Sequence, residues 1–350
     1  MRTMHEPGAR REFEFLCVDD FIQEVVSARA LTSALELNLI DLLLDRQQID
    51  LHALPEILRV EPKGLQFLLE LLRANRVIHI REGTVRISSA FLTALKYRDL
   101  LEAKLDFANM LLPDFHGLFT RMLRNPLEFM GRSRVFELFR YDRCYESNPE
   151  NVELTQRWMR FTTALTKYEA QACLKYFDFG SHRKLLDVGG NSGEFVLRVC
   201  KTHPELEAAV YDLPVVCEIG EKHVASEPEA KRIQFIQGDA RKYPLPQGFD
   251  LISFKSILHD WQPPDARLML SRAVQVLQPG GRILIFERGP VEIRDTPLPF
   301  HMIPNMLFMY FYRAPRIYTE WLKELGLMDI QVQRIELEMP FYLLTAQKGN

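Results

Sequence analysis

The chain is poor in the features that would place it in several large protein classes. Its five cysteines, Cys17, Cys144, Cys173, Cys200 and Cys217, are scattered without a C-x-x-C pair. That spacing excludes a disulfide scaffold and argues against structural zinc. No apolar run reaches the roughly 20 residues of a membrane-spanning helix, and Met1 to Arg11 is polar and charged, unlike a secretory leader. Neither sign of charge dominates: 44 Lys and Arg face 47 Asp and Glu, for a net charge of −3. A nucleic-acid partner therefore has no global basic field to meet. The dinucleotide fingerprint is also missing, because Asn191 and Glu194 stand where its later glycines belong, which disfavours a nicotinamide or flavin dinucleotide. The expectation is a soluble, cytoplasmic protein with no membrane and no nucleic-acid partner. Its 350 residues, 47% of them hydrophobic, suffice for two domains.

What the sequence does contain is organised around Leu185-Leu186-Asp187-Val188-Gly189-Gly190-Asn191-Ser192-Gly193-Glu194-Phe195. Lys184 to Val188 reads as a buried strand, and Gly189, Gly190 and Gly193 let the backbone turn tightly beside a ligand. Glu194 to Thr202 carries Phe195, Val196, Leu197 and Val199 at helical spacing. The first amides of that helix point back at the loop, a setting that attracts phosphates, carboxylates and ribose oxygens.

Upstream, periodicity predicts an amphipathic helix over 13–34, further helices over Ala34 to Leu44, Leu51 to Val60 and Pro62 to Asn75, and a hairpin around Glu82-Gly83. Helices followed by a hairpin form the plan of a winged helix. The candidate recognition helix offers only Lys63 and Arg73, so packing or dimer formation fits it better than DNA binding. Residues 100–180 are mainly helical and rich in large apolar side chains. Most of these make core. Phe115, His116, Phe119, Trp158, Met159 and Phe161 are candidates to roof a pocket for a flat apolar substrate.

After the glycine loop, strands over Leu206 to Asp212, Ile233 to Asp239, Asp250 to Lys255 and Arg282 to Glu287 alternate with helices over Val215 to Ala225 and Ala266 to Leu277. Repeated βα units imply a parallel sheet with ligands at its carboxyl edge. Asp187, Asp212, Asp239, Lys255 and Glu287 fall at or near such ends. An acid after the second strand suits the paired hydroxyls of a ribose, and one after the third suits an adenine amino group. Each acid alone also fits a helix cap; together with the loop they point to a nucleoside site.

These motifs occur in a definite order: Asp187 to Gly193, Tyr211-Asp212-Leu213-Pro214, Gly238-Asp239, Phe254-Lys255-Ser256-Ile257-Leu258-His259-Asp260-Trp261, and Leu277-Gln278-Pro279-Gly280-Gly281. The series resembles the class I S-adenosylmethionine-dependent O-methyltransferases, in particular the caffeic acid, hydroxyindole and bacterial natural-product group, over nearly the whole chain. The resemblance implies an α/β fold: a Rossmann-like seven-stranded sheet with an antiparallel last strand, preceded by a mainly helical winged-helix-like dimerisation domain. It implies a dimerisation domain over 1–100, a helical linker and pocket region over 101–180 and a catalytic domain over 181–350. Ile330–Leu337 and Phe341–Gln347 would be the final strands, after a helix over Tyr318–Leu325. S-adenosyl-L-methionine is the implied cofactor, held by Asp187, Gly189, Gly190, Gly193, Asp212, Leu213, Asp239, Ala240 and Lys255. His259 falls on the family's general base and Glu287 on the acid that orients it. An imidazole titrating near neutral pH suits removal of a hydroxyl proton.

The sequence departs from that pattern twice. Asn191 replaces a loop glycine, although asparagine tolerates left-handed backbone. By spacing from Asn305-Met306-Leu307, Pro315 stands where the family has a second acid flanking the base. Met302, Asn305, Met306 and Met309 are further candidates for the lining of the acceptor pocket, with Asn305 as a polar handle. The acceptor is expected to be small and aromatic or polycyclic, and the chain a homodimer. Carbon methylation of a tetrapyrrole or keto-acid, and a non-enzymatic winged-helix regulator with a nucleoside sensor, remain as alternatives. His259, Asp260 and His301 make only a weak metal-ligand set, and no metal is expected.

Overall fold

The computed structural model describes residues 11–292 and 298–350. Contacts gather into two units, Met1–Asn109 with Pro297–Ile303, and Met110–Thr296 with Pro304–Asn350.

The first unit opens with a 3-10 turn over Glu14–Phe21, followed by α1 (Val25–Glu36) and α2 (Leu39–Arg46). The single helix expected over 13–34 is therefore broken. The Gln23 side-chain amide donates to the Asp19 carbonyl at 2.7 Å, and the Ile22 N–H turns back to the same oxygen at 3.2 Å. That carbonyl is thus withdrawn from an α-helical ladder. The expected helix over Ala34 to Leu44 is also split, by Asn38 at φ 56°, one of the few non-glycine types that adopts left-handed backbone readily. Next come β1 (Ile49–Asp50) and α3 (Leu54–Leu58). The helix expected over 51–60 is cut to α3 because Arg59 turns left-handed.

In α4 (Pro62–Ala74) the Glu61 carboxylate caps the Gly64 N–H at 2.7 Å, Pro62 takes the first position, and Leu65, Leu68, Leu69 and Leu72 are buried. The hairpin is present as β2 (Ile78–Arg81) and β3 (Thr84–Ile87). Glu82 and Gly83 both have positive φ, as a tight two-residue turn requires. β1 pairs with β3, giving the order β1-β3-β2. The helices α5 (Ser89–Ala94) and α6 (Arg98–Arg124) follow, the latter running past this unit's last residue. Phe300 and His301 donate backbone N–H groups to Gln23 and Ile22, so Met302 belongs with this unit.

The second unit adds α7 (Pro126–Met130), α8 (Arg134–Leu138) and the long α9 (Pro149–Tyr176), which is capped by Asn148. Alternation then begins: β4 (Lys184–Val188), α10 (Glu194–Thr202), β5 (Glu207–Asp212), α11 (Pro214–Val224), β6 (Ile233–Gln237), β7 (Leu251–Lys255), α12 (Pro263–Val276) and β8 (Arg282–Arg288). The chain closes with α13 (Ile303–Leu307), α14 (Pro315–Glu324), β9 (Met328–Glu336) and β10 (Pro340–Gln347). The sheet runs β6-β5-β4-β7-β8-β10-β9, with β10 antiparallel to both of its neighbours, the seven-stranded arrangement expected. β4 and β7 are almost wholly buried, as parallel strands covered on both faces must be. The strand order reverses between β4 and β7, and in doubly wound sheets ligands bind at the carboxyl edge of such a switch point. Among the described residues no helix is long and apolar enough to cross a membrane.

Candidate active site

The glycine loop leaves β4 with Gly189 at φ +70° and reaches α10 through Gly193 at φ +74°. A Cβ on Gly189 would collide with the Ile257 side chain, and one on Gly190 would lie 2.8 Å from Asp187 Oδ2, so both positions require glycine. Asn191 takes φ 55°, and its amide donates to Thr162 Oγ1 at 3.2 Å. The Ser192 and Thr163 hydroxyls are 2.8 Å apart. The departure from glycine is thus accommodated by α9.

Acids gather at the strand ends. Buried Asp187 bonds Ser253 Oγ at 2.6 Å, and burial pushes its carboxyl up to about 7 despite that bond. Asp212 accepts the N–H groups of Asn191 at 2.8 Å and Leu213 at 2.7 Å, while burial raises it to about 6. A carboxylate accepts about four hydrogen bonds. Two acceptor positions on Asp212 therefore remain for a pair of vicinal hydroxyls, an arrangement that fits a nucleoside ribose. Asp239 is more heavily engaged. Burial would raise it, but Arg241 and the Tyr145 hydroxyl outweigh burial and hold it below the usual carboxylate range. An adenine amino group would share or displace those partners. Arg241 stacks 3.6 Å above the Trp261 ring. Lys255, expected to reach a cofactor, bonds Thr166 Oγ1 at 2.9 Å and the Glu169 carboxylate.

His259 sits in a short turn after β7 and is buried. Its Nδ1 bonds Glu287 Oε2, and Glu287 Oε1 accepts the N–H groups of Ile257 at 3.0 Å and Leu258 at 2.8 Å. One carboxylate thus fixes both the ring and the turn that carries it. On the other side, His259 Nε2 lies 3.3 Å from Asp260 Oδ1, and the Tyr141 hydroxyl donates to Asp260 Oδ2 at 2.8 Å. Burial alone would lower the imidazole, but the Glu287 and Asp260 carboxylates outweigh it and hold His259 above its ordinary value. At the departure from the family's second acid, Pro315 opens α14. The nearby Arg313 guanidinium donates to the Leu258 and Trp261 carbonyls, which bracket the histidine turn, so the second carboxylate beside the ring is Asp260.

Aromatic side chains extend from this point. Tyr312 lies edge-on to His259 at 5.3 Å, Tyr141 contacts Trp158 and Trp261, and Phe139 joins Trp158 to Phe308. Phe136 adds Phe308 and Phe311. Of the expected pocket residues, Trp158 and Met159 pack in a buried cluster with Leu213, Val215 and Val216. Asn305 is buried, and Phe161, Met306 and Met309 are half-buried. Phe115 packs against Phe119, while His116 is exposed. His301 lies in the first unit, its Nδ1 buried without a hydrogen-bond partner. Among the described residues no three His, Cys, Asp or Glu side chains gather as metal ligands.

Sequence reasoning missed Glu169, Tyr141, Tyr145, Arg313, Phe308 and Phe311. Their partners stand up to 119 residues away, as for Tyr141 and Asp260, and no local spacing signals such pairs.

Three comparisons locate this geometry among known proteins. The chain is 31% identical over 160 residues to a 3-hydroxy-5-methyl-1-naphthoate 3-O-methyltransferase of Streptomyces sahachiroi, an alignment spanning 45% of this chain and 46% of that relative. It is 28% identical over 303 residues to a demethylspheroidene O-methyltransferase of Cereibacter sphaeroides, spanning 83% and 76% respectively. Its fold superposes on human N-acetylserotonin methyltransferase in complex with SAM with a TM-score of 0.74 at 23% identity, covering 98% of this chain and 100% of that one. A family profile described as the O-methyltransferase domain matches residues 123–326. The chain therefore belongs to the O-methyltransferase domain family of S-adenosylmethionine-dependent enzymes.

Proposed function

We propose that this enzyme methylates a hydroxyl on a small aromatic or polycyclic acceptor, with His259 as general base. The observation that carries the proposal is the buried imidazole clamped through Nδ1 by Glu287, at a strand end beside the nucleoside-type crevice and an aromatic wall. S-adenosylmethionine supplies, when bound, a methyl group already activated on a sulfonium. The loop of Gly189, Gly190 and Gly193 would hold it with Asp187, Asp212, Leu213, Asp239, Ala240 and Lys255. What is left to the protein is alignment, exclusion of water and removal of one proton.

Glu287 sets the tautomer by accepting from Nδ1–H, so Nε2 is the nitrogen that takes the acceptor's proton. In the resting site Nε2 faces Asp260 Oδ1, and two unprotonated acceptors facing each other would repel. That repulsion favours a proton held in the contact, and both His259 and Asp260 are held above their ordinary values, Asp260 chiefly by burial and His259 by the neighbouring carboxylates. The base form develops as that proton leaves. The aromatic side chains Phe136, Phe139, Phe308 and Phe311 supply an apolar wall suited to a flat ring, with Trp158, Phe161, Asn305, Met306 and Met309 as further lining candidates.

In this reading residues 1–100 form a dimerisation domain, 101–180 contribute the pocket and 181–350 carry the chemistry. Support for a homodimer comes from large apolar side chains exposed on the first unit, with Phe67 at 67% and Val26 at 56%. Five free thiols, four of them buried, fit a reducing cytoplasm. The test is methyl transfer from labelled S-adenosylmethionine to a panel of phenols and polycyclic alcohols. Product formed by the parent and absent with His259→Ala supports the reading; transfer by both at equal rates removes His259 from the role.

A further inference from the structure

On α9, Glu169 is 2% exposed and holds two cations. One oxygen accepts from Lys255 Nζ at the end of β7, the other from Arg288 at the end of β8, and these strands are adjacent and parallel. Arg288 also donates to Ser256 Oγ at 3.3 Å. Ser256 takes φ 55° and starts the turn that delivers His259. Its N–H donates to Phe286 O at 2.9 Å.

Burying a carboxylate between two cations contributes little to stability compared with apolar packing, so the arrangement is better explained by the orientation it imposes. An ammonium has three donors. Among the described residues Lys255 uses one on Thr166 and one on Glu169, which leaves the third for a ligand in the crevice. We propose that Glu169 is a positioning residue for methyl transfer: it aims the remaining N–H of Lys255 at the cofactor and, through Arg288 and Ser256, fixes the turn bearing His259. The proposal rests on the methyltransferase reading above.

The test is calorimetric titration of the full chain with S-adenosylhomocysteine, alongside thermal melts, for the parent, Glu169→Gln, Glu169→Asp and Glu338→Gln. Loss of one charge-assisted hydrogen bond weakens binding about tenfold, the result expected for Glu169→Gln. Glu169→Asp keeps the charge but loses the reach to span both cations, and it carries the test if the glutamine variant does not fold. Glu338→Gln removes the other counter-ion of Arg288, at 3.5 Å, without touching Lys255. It is expected to lower the melting temperature while leaving affinity within about twofold, well below the tenfold set by a lost hydrogen bond. Glu169 variants that fold and bind like the parent overturn the proposal, as does Glu338→Gln weakening binding as much as Glu169→Gln. A parent that binds no S-adenosylhomocysteine contradicts the methyltransferase reading itself, before any variant is measured.

Discussion

The two units bury different kinds of side chain. In the first, the buried interior among the described residues is apolar with a few polar groups, and Asp19, paired to Lys104 at 2.7 Å, is its one buried carboxylate. In the second, Glu169, Asp187, Glu194, Asp239, His259, Glu287 and Arg288 are all buried, most of them at the carboxyl edge of the sheet. Burying ionisable groups costs free energy unless they are paired, and a fold needs few of them to be stable. The first unit is built for packing. The second concentrates charge where chemistry would occur.

Predictions follow from that contrast. The largest effect is expected from His259→Ala, which should lower kcat by about 10²–10⁴ and change S-adenosylhomocysteine affinity little. Steady-state kinetics with calorimetry checks both. The mirror experiment is Asp19→Ala in the first unit. It removes the buried carboxylate paired with Lys104 and should cost about 3–5 kcal/mol of stability, seen in urea melts, with ligand affinity in the folded protein unchanged. Loss of affinity there would erase the distinction between the units.

A more moderate change is expected from Glu287→Gln. The carboxylates hold His259 above its ordinary value, so kcat/KM should rise with pH along a limb above the usual histidine range. Removing one negative charge should move that limb to lower pH while reducing the plateau. A limb that stays in place would show that another group titrates.

The smallest effect concerns stability against pH, and here the two units have opposite signs. Native Asp187 and Asp212 hold their protons up to about 7 and about 6, and His259 is also raised. In each case the native state binds more protons than the unfolded chain in that window, so stability falls as pH rises through it. In the first unit Lys104 outweighs burial and lowers Asp19, whose contribution is present above its ordinary value and lost as pH falls through the acid range. Melting temperature should therefore decline by a few degrees from pH 6 to pH 8, and Asp187→Asn should flatten that decline. A decline of the same size in Asp187→Asn would exclude that aspartate as its source.

The sheet was readable because its signals are local. The strand after Arg183, the glycine loop and the helix from Glu194 stand where periodicity and glycine placement put them, as do the strand-end acids. Helix boundaries in the first unit were not readable. A side-chain amide at Gln23 and a left-handed Asn38 broke segments whose apolar spacing continues unbroken. The candidate site was legible in its carboxylates and its imidazole but not in their partners. Glu169 and Arg313 act across 86 and 55 residues, and each is an ordinary surface-type residue until the fold brings it to its partner. The family's second acid is replaced by Pro315; in the fold Asp260 stands beside the other ring nitrogen.

The most direct test of the central claim is calorimetry with S-adenosylmethionine and S-adenosylhomocysteine on the parent and on Asp212→Ala. The account predicts that both ligands bind the parent, and that the loss of two hydrogen bonds to a carboxylate weakens binding about 10–100-fold in a variant that remains folded. No binding by a folded parent, or equal binding by the variant, would contradict the nucleoside site on which the account depends.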